Sequence, residues 1–272
     1  MPEGDTIHTL ARELGRELDG QPLAELRVQR HGRRDELVGE TLGRVYARGK
    51  HLLVPIGQRV VLRVHLGMYG GWDRFRVHGR WRVRTARHEV LIRTEVVAFA
   101  CRRPSAAELV RAREVEHHPT LSRLGPDLIS DDVDWDQVVR RARDRAVAPV
   151  RVGDLLLDQT VAAGIGNIFK AEALFCSRIR PDTDVRALSD AELRELYQCA
   201  ARLLRANVSA VPRVLTAPDP SARRRPDAGR SAGRTWVYGR KGRPCRVCAQ
   251  PIRFVDEGGD ERMSWWCPSC QT

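Results

Sequence analysis

Asp158-Gln159-Thr160-Val161-Ala162-Ala163-Gly164-Ile165-Gly166-Asn167-Ile168-Phe169-Lys170-Ala171-Glu172-Ala173-Leu174 is the stretch on which the fold turns. Apolar residues at helical spacing flank a Gly-x-Gly-Asn centre, a pattern that predicts a helix, a tight turn and a new helix capped by Asn167. Glycines at 164 and 166 would let a phosphate approach the backbone closely, with the free N–H groups and positive dipole end of the following helix facing it. Turn and cap form an anion seat, and on spacing alone they serve equally as a plain helix-loop-helix corner.

Working outward, Leu124-Gly125-Pro126-Asp127 opens a helical region in which Val138, Val139, Val150, Leu155, Leu156, Leu157 and Val161 are spaced for buried faces, as far as about Val211. Towards the N-terminus the pattern changes to strands. Leu52 to Ile56 and Val60 to Val64 are apolar runs, and Arg74 to Arg84 alternates basic and apolar residues about His78-Gly79. Such a hairpin would bury Phe75, Val77, Trp81 and Val83 and turn Arg74, Arg76, Arg80, Arg82 and Arg84 outward, to solvent or to DNA. One amphipathic helix precedes the strands, with Ile7, Leu10, Ala11, Leu14 and Leu18 on its apolar face, Asp5 as its N-cap, and Gly20 and Pro22 closing it.

Four cysteines, Cys245-x2-Cys248 and Cys267-x2-Cys270, have the spacing with which two tight turns present thiolates to one tetrahedral zinc. The alternative, a pair of disulfides, belongs to an oxidising compartment. Met1-Pro2-Glu3-Gly4-Asp5 has neither the basic flank nor the apolar run of a secretory signal, so a cytoplasmic protein is expected. Four thiolates close the coordination sphere, which makes the metal structural and sends the search for catalysis elsewhere. Cys101, Cys176 and Cys199 are expected to be small buried hydrophobes. No organic cofactor and no membrane span is expected, since no run of about 18 apolar residues occurs.

The formal net charge is +12 over 272 residues, with Arg far exceeding Lys, so an acidic polymer is the natural partner, although a GC-rich codon bias also raises Arg. Between Arg213 and Pro244 nine basic residues stand against two acidic ones, in a stretch rich in Pro, Gly, Ser and Ala that reads as a mobile basic linker. The expected organisation is an α+β multi-domain chain. It comprises an N-terminal β-sandwich with flanking helices over 1–115, a linker over 116–128, a helical DNA-binding domain over 129–212, the basic linker over 213–233 and a zinc-finger hairpin over 234–272.

In chain order stand Met1-Pro2-Glu3-Gly4, Gly49-Lys50-His51-Leu52-Leu53, His65-Leu66-Gly67-Met68-Tyr69-Gly70, Leu124-Gly125-Pro126-Asp127, Gly164-Ile165-Gly166-Asn167, Val237-Tyr238-Gly239-Arg240 and the four cysteines. Together they resemble the formamidopyrimidine-DNA glycosylase and endonuclease VIII family over nearly the whole chain. Gly4 and Tyr69 point to the endonuclease VIII branch, which the resemblance associates with oxidised pyrimidines. It implies a β-sandwich and a helix-two-turns-helix domain with damaged DNA crossing between them, in a monomer. It further implies base excision with nicking of the abasic strand by β,δ-elimination. Pro2 would be the nucleophile, Glu3 its acid-base partner, and Lys50 an active-site cation. Asn167, in the Gly166-Asn167 turn, and Arg262 would grip phosphates, Arg262 also serving the second elimination. Met68 and Tyr69 would fill the gap left by the extruded nucleotide. Asp5 stands where many relatives carry a longer acidic residue, and the segment from Ala217 to Arg230 is unlike an ordered lesion-capping loop.

The chemistry is coherent. With Met1 removed, Pro2 becomes a secondary amine that can attack a sugar C1′ and form an iminium ion, joining base loss to strand cleavage. An α-amino group titrates at about 7.7–8.0, and a helix N-terminus and Lys50 beside it would lower that value. Three other functions fit parts of the pattern: an 8-oxoguanine and formamidopyrimidine specialist, a non-enzymatic zinc-stapled reader of damaged or single-stranded DNA, and an RNA-associated helical protein.

Overall fold

Period-two burial builds the first half of the chain. Leu52, Val54 and Ile56 point to one side of their strand, Leu62 and Val64 do so on the next, and Val90, Ile92, Val97, Phe99 and Cys101 face them from a second sheet. The computed structural model describes residues 2–29, 32–77, 88–210, 215, 235–256 and 263–272, and divides into two units, Met1–Arg123 and Leu124–Thr272.

Unit 1 opens with α1 (Gly4–Leu18), followed by β1 (Glu25–Val28), β2 (Gly32–Arg33), β3 (Tyr46–Arg48), β4 (His51–Ile56), β5 (Val60–His65), β6 (Gly71–Arg76), β7 (Val90–Arg93), β8 (Val97–Arg102) and β9 (Ala106–Arg111). The order β2-β1-β7-β8-β6 makes a five-stranded sheet and β3-β4-β5-β9 a four-stranded one, with antiparallel pairing throughout. Their inner faces share one core with Ile7, Ala11, Leu14 and Leu18 of α1, which gives the β-sandwich. Each fully buried aliphatic side chain there contributes about 1.5–3 kcal/mol.

Three local expectations are corrected. The N-cap of α1 is Glu3, with Asp5 buried inside the first turn, because a second helical turn closes by Ile7 N–H donating to the Glu3 carbonyl. Arg74 and Arg76 are exposed on β6 and Phe75 is half-buried, yet β6 pairs with β8, and Arg74 is engaged by Glu17 at 2.5 and 2.6 Å. The rest of the expected hairpin, 78–87, lies outside the described residues.

Unit 2 contains α2 (Trp135–Arg145), α3 (Val152–Leu155), α4 (Asn167–Cys176) and α5 (Asp190–Asn207), then the two-stranded hairpin of β10 (Arg253–Asp256) and β11 (Met263–Trp266). Ser189 caps α5 with a reciprocal Glu192 bond, and Asp134 caps α2. Phe169, Leu174, Leu193, Leu196, Tyr197, Ala200 and Leu204 centre the helical core. Ahead of α4 the chain runs through turns, where a helix over Asp158–Ala163 was expected. Gln159 replaces helical bonds by donating to the carbonyls of Leu157 (2.7 Å) and Ile165 (3.0 Å) and accepting from Gly164 N–H (3.1 Å). Arg141 adds a 2.6 Å bond to the Thr160 carbonyl. Gly125 is required here, since a Cβ would lie 2.2 Å from the Val161 carbonyl oxygen. The basic linker falls almost wholly outside the described residues. Among those described, no helix is long and apolar enough to cross a membrane.

Candidate active site and its DNA-facing elements

Strand register sets which residues of unit 1 share one end. β3 and β4 are joined by the two-residue turn Gly49-Lys50, with Arg48 opposite His51 and Gly49 at φ 58, a backbone state that glycine supplies without strain. β5 ends at His65, directly opposite His51, so the Gly67-Met68-Tyr69 turn leaves the sheet beside Lys50. The β8–β9 turn, Arg103 to Ser105, enters at that end too. α1 runs antiparallel to β3: Asp19, past its C-terminus, accepts the Val45 N–H at 2.8 Å, while His8, nearer its start, lines a groove with Ala47. Pro2 and Glu3 therefore sit at the end that carries Lys50, Met68 and Tyr69.

Pro2 is half-buried and Glu3 fully buried, at 0% exposure. A buried carboxyl is costly unless its charge is compensated, and the N-terminus of α1 supplies oriented N–H dipoles at that point. Lys50 is half-buried. Beneath it His51 and His65 pack ring to ring, with centroids 4.8 Å apart. Burial, and then the Arg63 guanidinium, hold the His51 imidazole down at about 3 and His65 at about 4. Both rings are therefore neutral near pH 7 and place no added positive charge beside Lys50. His65 Nδ1 meets the Ser105 hydroxyl at 2.6 Å, and buried Arg63 pairs with Glu108, which also meets His118 at 3.2 Å.

Met68 and Tyr69 are 43% and 65% exposed, outside the core. Their turn is held by Gly70 N–H donating to the Leu66 carbonyl at 3.0 Å. Arg103 lies over the Tyr69 ring, 5.1 Å from its centroid, in a left-handed conformation (φ 48). The sequence reading missed Arg103, for which the only cue was a basic pair before Pro104 at a strand end.

In unit 2 Gly166 takes the N-cap position of α4 and Asn167 is the first helical residue, so Asn167 does not cap this helix as expected. Gly166 is extended (φ −124), which leaves its side of the helix N-terminus without a Cβ. Asn167 is 1% exposed, and its Oδ1 has no hydrogen-bond partner among the described residues. Two charged residues of α4, also missed from sequence, tie this helix to the C-terminal hairpin. Glu172 accepts the backbone N–H groups of Trp236 (2.6 Å), Val237 (3.0 Å) and Tyr238 (2.8 Å), and Lys170 donates to the Met263 carbonyl at 2.9 Å. Ala171 and Phe175 pack against Val237, Ile252 and Trp265 in the same interface.

The Sγ atoms of Cys245, Cys248, Cys267 and Cys270 all lie within 4.8 Å of one another. Tetrahedral thiolates on one zinc at about 2.3 Å would stand roughly 3.8 Å apart, so these residues fit such an ion. Val247 N–H donates to Cys245 Sγ at 3.4 Å and Ala249 adopts φ 65, which gives the tight turn between the first two cysteines. Arg262 lies outside the described residues.

Comparison with known proteins agrees along the whole chain. The formamidopyrimidine-DNA glycosylase N-terminal domain matches residues 1–119, and the H2TH domain of that glycosylase matches 124–216. A probable endonuclease 8 2 of Streptomyces coelicolor is 35% identical over 280 residues, covering 100% of this chain and 94% of the relative. A DNA-(apurinic or apyrimidinic site) lyase Nei2 of Mycolicibacterium smegmatis is 35% identical, covering 100% and 99%. The fold also matches Lactococcus lactis formamidopyrimidine DNA glycosylase bound to AP-site DNA, with a TM-score of 0.77 at 21% identity and 99% coverage of both chains. The chain belongs to the formamidopyrimidine-DNA glycosylase and endonuclease VIII family, on its endonuclease VIII side.

Proposed function

We propose that this protein excises oxidised bases, pyrimidines foremost, from DNA and then nicks the abasic strand by β,δ-elimination through a Schiff base on Pro2. The enzyme class, DNA glycosylase with AP lyase activity, follows from the family. The single observation that carries the proposal is the gathering of half-buried Pro2, buried Glu3 and Lys50 at the end of the sandwich that carries exposed Met68 and Tyr69.

After removal of Met1, the Pro2 nitrogen attacks C1′ of the lesion nucleotide and the base departs. The Glu3 carboxyl protonates the opening deoxyribose ring, and its carboxylate then takes the C2′ proton, expelling the 3′ phosphate. A second elimination expels the 5′ phosphate, and water releases the sugar fragment from Pro2. Lys50 supplies positive charge for a phosphate beside the reacting sugar. Met68 and Tyr69 fill the vacated stack, and Arg103, held over the Tyr69 ring, fixes the orientation of that plate. The α4 N-terminus with Asn167 is read as the phosphate seat, a role supported by the buried Asn167 Oδ1 that lacks a partner among the described residues. Arg262 is proposed to share that seat. Cys245, Cys248, Cys267 and Cys270 would hold one structural zinc, which joins the hairpin strands and takes no part in the chemistry.

The test is incubation with duplexes carrying one oxidised pyrimidine, one 8-oxoguanine or one abasic site. We expect cleavage to a 3′-phosphate product, fastest on the pyrimidine lesion. Binding without cleavage of any substrate would establish the non-enzymatic reader instead, and higher turnover on 8-oxoguanine would replace the pyrimidine preference.

A further inference from the structure

Of the three cysteines outside the four-cysteine cluster, only two are buried. Cys101 and Cys199 lie in the core, but Cys176, the last residue of α4, is exposed. That departs from the small-hydrophobe role expected of all three. Cys199 sits within α5, 7% exposed, and the two thiols meet where α4 packs on α5. Contact with the Cys176 S–H, together with the Arg202 guanidinium and the Ser177 hydroxyl, draws the Cys199 thiol below its ordinary value against the opposing effect of burial. The same contact and burial raise Cys176. Cys101 differs: burial pushes its thiol up to about 12, and it is not paired with another cysteine.

We propose that Cys176 and Cys199 form a reversible dithiol–disulfide site in the helical unit, taking peroxide as oxidant and a small dithiol as reductant. The Cys199 thiolate attacks one peroxide oxygen, breaking the O–O bond. Cys199 becomes a sulfenic acid, and the departing oxygen leaves as water after taking a proton. The Cys176 sulfur then attacks the Cys199 sulfur, the S–S bond forms, and hydroxide leaves with the Cys176 proton as a second water. Two thiols are oxidised by two electrons, and one peroxide is reduced to two waters.

The position couples this chemistry to the DNA-facing elements. The turn after Cys176 holds the end of the chain: Thr272 N–H donates to the Arg178 carbonyl at 3.1 Å, and the Gln271 side-chain amide to the Ile179 carbonyl at 2.8 Å. α4 carries Asn167 at its other end and the hairpin anchors Lys170 and Glu172 between them. Closing the disulfide would pin α4 to α5 beside that anchorage.

The experiment uses the full-length, metal-loaded protein. It is exposed to a few equivalents of hydrogen peroxide, free thiols are alkylated, and peptides are mapped by mass spectrometry without reductant. The expected product is one cross-linked pair joining Cys176 to Cys199, lighter by two hydrogens and reopened by dithiothreitol, with Cys101 still alkylated. In Cys176→Ser, which alters an exposed position, the cross-link is lost and Cys199 is captured by a sulfenic-acid reagent. If Cys176 and Cys199 of the unsubstituted protein remain alkylatable while peroxide is consumed, or if either pairs with a different cysteine, the inference is wrong.

Discussion

Replacing Glu172 by Ala tests how far the C-terminal hairpin depends on one buried carboxylate. Glu172 is 0% exposed and receives three backbone N–H groups. Truncation leaves all three without their acceptor. An unsatisfied buried donor costs about 1–3 kcal/mol. Val237 is fully buried, whereas Trp236 and Tyr238 are partly exposed, so water can compensate in part at those two. The net loss should be about 3–5 kcal/mol of hairpin docking, or a factor of roughly 10²–10³ in its local opening equilibrium, since about 1.4 kcal/mol is tenfold. Glu172→Gln keeps one acceptor oxygen but turns a donor towards one of the N–H groups, and should cost about half as much. Hydrogen exchange at Phe254 and Trp265, on β10 and β11, reads the change directly, with β4 and β5 amides as internal reference. Acceleration of less than about twofold in Glu172→Ala would refute the reasoning.

Other perturbations follow from the same geometry. His51 and His65 are held at about 3 and 4, below the unfolded value of about 6.5, so the unfolded chain binds more protons between those limits. Stability is therefore full above about pH 6.5 and falls as pH drops towards 4, by up to about 1.4 kcal/mol per pH unit for each ring. Urea titrations at stepped pH should show this slope, reduced in His51→Gln; a flat profile would contradict it. Gly125→Ala places a Cβ 2.2 Å from the Val161 carbonyl oxygen and 2.4 Å from its carbon, backbone atoms that cannot rotate away, and should cost about 2–4 kcal/mol in thermal unfolding. Chelation should open the hairpin and weaken DNA binding while unit 1 keeps its far-ultraviolet signature; unchanged affinity in metal-free protein would remove the hairpin from the DNA-binding surface. Tyr69→Ala and Arg103→Ala should each slow lesion excision at least tenfold while leaving cleavage of a preformed abasic site less affected, as single-turnover kinetics would show.

The sandwich was legible because burial at Leu52, Val54 and Ile56 repeats every second residue, a local signal. The cysteine cluster was legible because each half lies in one short turn. The two cap assignments failed for a shared reason. Capping preferences favour Asp5 and Asn167, whereas the chain starts its helices one or two residues earlier, at Glu3 and Gly166, with no side-chain cap at either. Lys170 and Glu172 look like solvent-facing helix charges in sequence. They are core residues only because partners at Met263 and at Trp236 to Tyr238, remote in the chain, fold back onto them. The His51–His65 stack and the Arg103–Tyr69 pair were hidden similarly, since both depend on strand register and on a turn that enters from another strand.

The most direct test of the central claim is borohydride reduction of the Met-processed protein mixed with DNA carrying one abasic site, with Pro2→Gly and Glu3→Gln alongside. A covalent adduct mapping to residue 2, strongly diminished in Pro2→Gly, is the predicted result. Tight binding without an adduct, or an adduct mapping to Lys50, would contradict a Schiff base on Pro2.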